Sequence, residues 1–301
     1  MTMDATSPDA TTPSATHTYS DGHPLDQIHY REYKLILRPT RFTSAQSFGD
    51  FSRLVRHAAE QLDVALFREE RSESQIREVL FFDTSACHLY NGKFILRQRT
   101  TYKNGWPLDE HEVVLKFRHP DRDTAAAVDV RPAGRLAHLI KFKEELLPLR
   151  DGLGGLRSLF SHNCTVSEPP ALRDRPFQEV AALFPALQQL EAPPDTPIQL
   201  VNGMATEEVL ADLGELHFGH GLKAKANVAI WRDRGPQTPL IGEFAFQCKF
   251  ERYEALHHQA KKRSEEFFRT LQLVTRDWVQ LDATKTGVVY GRGCSAVTNR
   301  E

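Results

Sequence analysis

Apolar and polar positions alternate with a period of two along much of the chain. In residues 28–38 this places Tyr30, Glu32, Lys34 and Ile36 on one face of an extended run, which predicts a first strand. Residues 47–64 switch to helical spacing. There Phe48, Phe51, Leu54, Val55, Ala58 and Leu62 recur three and four residues apart, with Ser47 and Asp50 as the expected cap. Three strands are predicted next, at 78–84, 93–102 and 111–118, punctuated by Asn91-Gly92 and Asn104-Gly105. Residues 134–147 predict a second helix and 156–166 a strand. A further helix at 176–190 lies between the Pro169-Pro170 and Pro193-Pro194 joints. The last third returns to strands at 214–219, 222–231 and 240–250, then a long helix at 252–278 and a final strand at 282–291.

Many strands with interspersed helices and no regular βαβ alternation predict an α+β, mainly antiparallel architecture. The same periodicity sorts the charges. Arg97 and Arg99 share a face, as do Glu112, Lys116 and Arg118, and Lys223, Lys225 and Asn227; Glu243 shares one with Ala245, Gln247 and Lys249. On a single strand such a face is ordinarily the solvent side of a half-buried sheet. Opposite charges two residues apart on several strands, with amphipathic helices available to cover an apolar exterior, make a barrel with a charged lumen one solution. Residues 1–25 are Thr, Ser, Ala, Asp and Pro with almost no large apolar side chain, which predicts a disordered tail. Residues 26–301 then form a single domain, with a peripheral helical insertion around 167–197.

Composition narrows the class. Hydrophobic residues make up 40% of the 301 and charged residues 26%, which fits a soluble globular protein and excludes collagen-like, coiled-coil and wholly disordered chains. Lys and Arg number 38 against 40 Asp and Glu, so there is no global basic excess of the kind nucleic-acid binders carry, and any anion site must be built locally. No apolar run approaches the roughly 18 residues that span a bilayer, and the N-terminus does not read as a signal peptide; a cytoplasmic protein without a membrane partner is expected. Cys87, Cys164, Cys248 and Cys294 are far apart with no C-x-x-C pair, which predicts reduced thiols. His111-Glu112 lacks the second histidine of a zinc protease, since Leu115 stands there, and Asp151-Gly-Leu-Gly-Gly155 lacks the ending of a phosphate loop. Lys261-Lys262-Arg263 beside Glu265-Glu266 reads as a solvated helix face.

Several short motifs occur in a telling order: Glu32-Tyr33-Lys34, Phe82-Asp83-Thr84, Leu96-Arg97-Gln98-Arg99, Val114-Leu115-Lys116, Arg157, Glu243 and Thr284-Lys285. Over residues 28–291 this order resembles the CYTH superfamily, the triphosphate tunnel metalloenzymes. The resemblance implies an antiparallel eight-stranded barrel whose lumen binds a triphosphate or polyphosphate. It also implies hydrolysis dependent on Mg²⁺ or Mn²⁺, with a non-catalytic binding module or a phosphoryl- or nucleotidyl-transferring relative as alternatives. By position, Lys34, Lys116 and Lys285 with Arg97, Arg99 and Arg157 would form the phosphate cradle. Glu32 and Glu243 would be metal ligands, and Glu112 is added by its face. The chemistry is coherent. A dense anion needs several converging cations, and carboxylates tolerate it only with a divalent ion between them. The chain departs from the family's Glu-x-Glu-x-Lys at Tyr30 and from its late glutamate pair at Ala245.

Overall fold

The computed structural model describes residues 27–67, 74–167, 169–251 and 255–291, and the alternating segments within them form strands. These are β1 (Tyr30–Leu37), β2 (Ala65–Phe67), β3 (Gln75–Asp83), β4 (Phe94–Lys103), β5 (Trp106–His119), β6 (His138–Leu147), β7 (Arg157–Ser167), β8 (Gln199–His217), β9 (Lys223–Asp233) and β10 (Pro239–Lys249). The helices are α1 (Gln46–Glu60), α2 (His88–Asn91), α3 (Arg122–Ala127), α4 (Phe177–Leu183), α5 (His258–Val274) and α6 (Lys285–Tyr290). None of them is long and apolar enough to cross a membrane.

Strands β8-β3-β4-β5-β7-β6-β1-β10-β9 follow one another around a ring, and the β8–β9 ladder closes it. Closure removes the exposed edges that an open sheet would present. Every ladder is antiparallel except β1–β6, and the short β2 pairs with the far end of β8. The barrel has nine strand positions where eight were expected.

Outward-facing residues form two apolar walls, each covered by helices. On one, Tyr33, Leu35, Phe244, Phe246, Ala226 and Val228 pack under α1 and α5, through Phe51, Val55, Phe267, Phe268 and Leu271. Tyr33 stacks on Phe246 with ring centroids 4.3 Å apart. Arg31 on this face is neutralised by Glu144 at 2.8 Å and by Glu265 of α5 at 2.9 Å. On the other wall, Leu96, Leu115, Phe142 and Val166 pack under α3, α4 and the turn behind α4, through Phe177, Val180, Phe184 and Leu187. A third apolar cluster closes one end of the barrel, where Ile36, Phe81, Trp231 and Ile241 meet Tyr90 of α2 and Tyr290 of α6. Asp83 ties this plug together: it accepts the N–H groups of Leu89 and Tyr90 and the Tyr290 hydroxyl, and burial pushes its pKa up to about 6.

Several expectations are corrected here. Residues 138–147 are strand β6, not helix, because Ile140 and Phe142 also fit a period of two, and pairing with β7 and β1 decides between the periods. The strand expected at 282–291 is helix α6, capped by Thr284, whose Oγ accepts the Gly287 N–H at 2.9 Å, and docked on the barrel end. Helix α5 ends at Val274 rather than at 278. Ser47 and Asp50 do not cap α1: Ala45 is the N-cap, and Asp50 pairs with Arg53. The strand expected at 214–219 is the tail of the much longer β8. Cys164 and Cys248 are free and buried, whereas Cys87 is disulfide-bonded; sequence spacing does not report which thiols a fold brings together. The expected tail at 1–25 and Cys294 lie outside the described residues.

Phe246 is fully buried between Tyr33, Phe267 and Phe268. Phe246→Ala should therefore lower unfolding free energy by about 3–5 kcal/mol in a urea titration. A loss below about 1 kcal/mol would show that helix α5 is not what anchors this wall.

Candidate functional site

Alternation that sends Tyr33, Leu35 and Leu37 outward sends Glu32, Lys34 and Ile36 inward, and the same holds around the ring. The result is a cavity of about 250 Å³ inside the barrel. Eight cations line it: Lys34, Arg77, Arg97, Arg99, Lys116, Arg118, Lys143 and Lys285. Only four carboxylates, Glu32, Glu145, Glu208 and Glu243, oppose them. A larger groove of about 730 Å³ lies outside the barrel beside residues 127–138, but its charged pair, Arg131 and Asp129, is satisfied internally at 2.5 Å.

The carboxylates fall into two pairs, each bridged by a lysine. β1 lies beside β6 with Glu32 in register with Glu145, and the Lys34 ammonium sits 3.0 Å from Glu32 and 3.2 Å from Glu145. Glu145 also takes Lys116, Arg118 at 3.5 Å and the Ser161 hydroxyl at 2.7 Å, while Lys143 reaches Glu32 at 3.3 Å. The second pair lies toward the plugged end. Lys285, presented by α6, is 2.7 Å from Glu243 and 3.6 Å from Glu208, with its ammonium 4.5 Å from the Trp231 ring centroid. Glu208 is further held by Arg77 at 2.8 Å and by the Trp231 indole N–H at 2.9 Å.

Burial pushes the pKa values of Glu32 and Glu145 upward, but the surrounding lysines and arginine outweigh it and hold both well below the ordinary carboxylate value. Glu208 is brought down to about 2 by Lys285, Arg77 and Arg99 against the same burial penalty. Arg97 shows the converse: burial, then repulsion from Arg99, lowers it to about 9. It makes no hydrogen bond or ion pair with the described residues, and its Nε is buried without a partner. A buried guanidinium of this kind can donate to an anionic partner.

Of the residues singled out from the sequence, Glu32, Lys34, Arg97, Arg99, Lys116, Glu243 and Lys285 line this cavity. Glu32 and Glu243 do not converge. Glu32 stands opposite Gln247 on β10, four residues from Glu243, about 13 Å along the strand. Each finds a different carboxylate partner, Glu145 or Glu208. Glu112 sits at the barrel rim, half-exposed and 3.7 Å from Arg99, and Arg157 starts β7 opposite Leu147; neither lines the cavity. Sequence reading missed Arg77, Lys143, Glu145 and Glu208. Lys143 and Glu145 alternate with Ile140 and Phe142 and so face the other way, a signal concealed by the competing helical one. Glu208 follows Asn202-Gly203, where a turn looks more natural than the middle of a 19-residue strand.

No protein-family description and no curated relative matches the chain. Several solved structures align with it over most of their length. A Hippeastrum protein named as an adenylyl cyclase and described as having a dominant triphosphatase activity aligns at 15% identity over 88% of this chain and 96% of its own, with a TM-score of 0.43. Proteins named as adenylate cyclases from Bacillus halodurans and Vibrio parahaemolyticus align at 13% and 9% identity over 87% of this chain and 96% and 98% of theirs, with TM-scores of 0.38 and 0.36.

Because Glu208 titrates lower in the folded chain than in the unfolded one, its stabilising effect is present above its unfolded value near 4.5 and is lost as the pH falls toward 2. Melting temperatures followed from pH 5 to pH 2 should fall less steeply for Glu208→Gln than for the wild type. Parallel curves would mean that Glu208 is not ion-paired in solution.

Proposed function

We propose that this chain is a divergent CYTH-type tunnel protein that hydrolyses a triphosphate, inorganic or organic, with the help of Mg²⁺ or Mn²⁺. The observation that carries the reading is the lumen's excess of four positive charges around a cavity of about 250 Å³, with the Arg97 guanidinium unpaired inside it. Burying cations without counter-ions is costly, and a polyanionic ligand offsets that cost. Arg97, Arg99 and Arg77 would fork onto phosphate oxygens, and Lys116 and Lys143 would act as point charges.

The donor set suits a divalent ion at Glu32 and Glu145. Two carboxylates meet one ammonium there at 3.0 and 3.2 Å, and Mg²⁺ is typically held by one or two carboxylates with phosphate oxygens and water completing its shell. Glu32 and Glu145 would hold the ion, which would supply charge neutralisation at the phosphate oxygens. The chain's own contribution is placement. Lys34, released from its two carboxylates, would turn to the phosphates, and Lys116 and Arg118 would hold Glu145 ionised. The plug of α2 and α6 closes the far end, so substrate enters from the mouth formed by the start of β1 and the end of β10.

A binding-only role is favoured by one feature: each lumen carboxylate already has a cationic partner from the chain itself. Phosphate release from tripolyphosphate, ATP and thiamine triphosphate, measured with and without Mg²⁺ or Mn²⁺, separates the two. Metal-dependent release supports hydrolysis, and tight binding without release in any condition supports the sensor.

Arg97→Ala and Lys116→Ala should each weaken tripolyphosphate binding by about 10- to 150-fold in isothermal titration, the loss of one charge-assisted contact of about 1.5–3 kcal/mol. Wild-type affinity in both would place the anion elsewhere. Glu145→Gln should weaken Mn²⁺ binding, read by electron paramagnetic resonance of the free ion, at least about tenfold. An unchanged Mn²⁺ isotherm would remove Glu145 from the metal site.

A further inference from the structure

At the end of the barrel away from the apolar plug, Tyr30 occupies the inward position where β1 lies between β10 and β6, in register with Lys249 on one side and Lys143 on the other. Its ring gathers three ammonium groups, with centroid distances of 5.5 Å to Lys141, 5.7 Å to Lys143 and 5.9 Å to Lys249. Lys143 is committed to Glu32 and to the Gln247 amide oxygen, at 3.3 and 2.6 Å. The ammonium groups of Lys141 and Lys249 have neither a carboxylate nor a hydrogen-bond acceptor among the described residues.

We propose that Tyr30, Lys141 and Lys249 form an outer anion subsite that continues the tunnel, so that the chain prefers linear inorganic polyphosphate longer than three phosphates over a nucleoside triphosphate. This deepens the triphosphate reading above and rests on it. Lys285 marks the deep end of the cationic track beside Glu243, and Lys249 lies six residues further along β10, about 20 Å away. That track outruns a triphosphate. The ring holds the two lysines over the opening, which lowers the cost of ordering flexible side chains when an anion arrives. A nucleoside at that level brings no charge for them, and it would have to displace ammonium groups from the ring in order to stack on it. Each further phosphate adds a charge where a cation has no partner. Tyr30 acts here as a positioning residue and the lysines as the contacts.

The test is isothermal titration with tripolyphosphate, a size-fractionated inorganic polyphosphate of about eight to ten phosphates, and ATP. It uses the full chain and three variants: Lys141→Gln with Lys249→Gln, Tyr30→Leu, and a charge-matched control, Lys262→Gln with Arg263→Gln on α5. Wild type should bind the longer chain at least about tenfold more tightly than tripolyphosphate, the worth of one additional charge-assisted contact. The lysine double variant should lose that advantage while binding tripolyphosphate within about twofold of wild type, Tyr30→Leu should lose part of it, and the control should keep it. Equal wild-type affinity for the two phosphate chains overturns the subsite alone, as does an equal loss in the control, which would show diffuse attraction. A selective loss of ATP binding in the double variant reassigns the mouth to a nucleoside and also overturns it. If tripolyphosphate itself fails to bind the wild type, the tunnel reading falls and the subsite with it.

Discussion

Charge kept inside a closed wall is the constraint on which the rest of this structure depends. An excess of cations in a narrow, half-dehydrated lumen is tolerable only if each charge has a partner or a ligand to meet. The chain provides partners by placing glutamates on the strands beside its lysines and arginines. Glu145 shows how far this goes, since one buried carboxylate serves Lys34, Lys116 and Arg118 and takes a hydroxyl from Ser161. Arg97 is where the pairing stops among the described residues, its Nε buried without a partner.

Barrel closure and lumen charge support one another. Because the strands turn most of their charged residues inward, they turn most of their apolar residues outward, and these need cover. α1 and α5 supply it on one wall, and the segment around α3 and α4 on the other. The outer cover thus makes a polar interior affordable, reversing the usual arrangement in which the apolar face of a sheet looks into the core.

The lysine-bridged glutamate pairs give the tunnel two chemically distinct levels. Farther from the plug, Lys34 lies on the same strand as Glu32 and bridges it to Glu145 from the barrel wall itself. Near the plug, Lys285 belongs to a short helix held by Thr284, by Asn202 on the Val289 carbonyl and by Tyr290 on Asp83. Its place between Glu208 and Glu243 therefore depends on the docking of α6.

By itself the sequence determined the class of the fold and singled out seven of the twelve charged residues that line the cavity. Alternation read residue by residue shows that Glu32 and Lys34, Arg97 and Arg99, and Lys116 and Arg118 share faces, because the side-chain period of a strand is two wherever the strand lies. The same rule cannot say whether such a face looks at solvent or at a lumen; that is decided by the β3–β8 and β1–β10 ladders, which join residues distant in sequence. It also cannot say which charges meet. Glu32 meets Glu145 because β1 and β6 run parallel side by side, and Lys285 enters the tunnel because 285–290 folds as a capped helix where its β-branched residues suggest a strand. Local propensity is weak at both places, for residues 138–147 satisfy two periods and 285–290 is only six residues long. Packing against the rest of the barrel, a long-range effect, settled both.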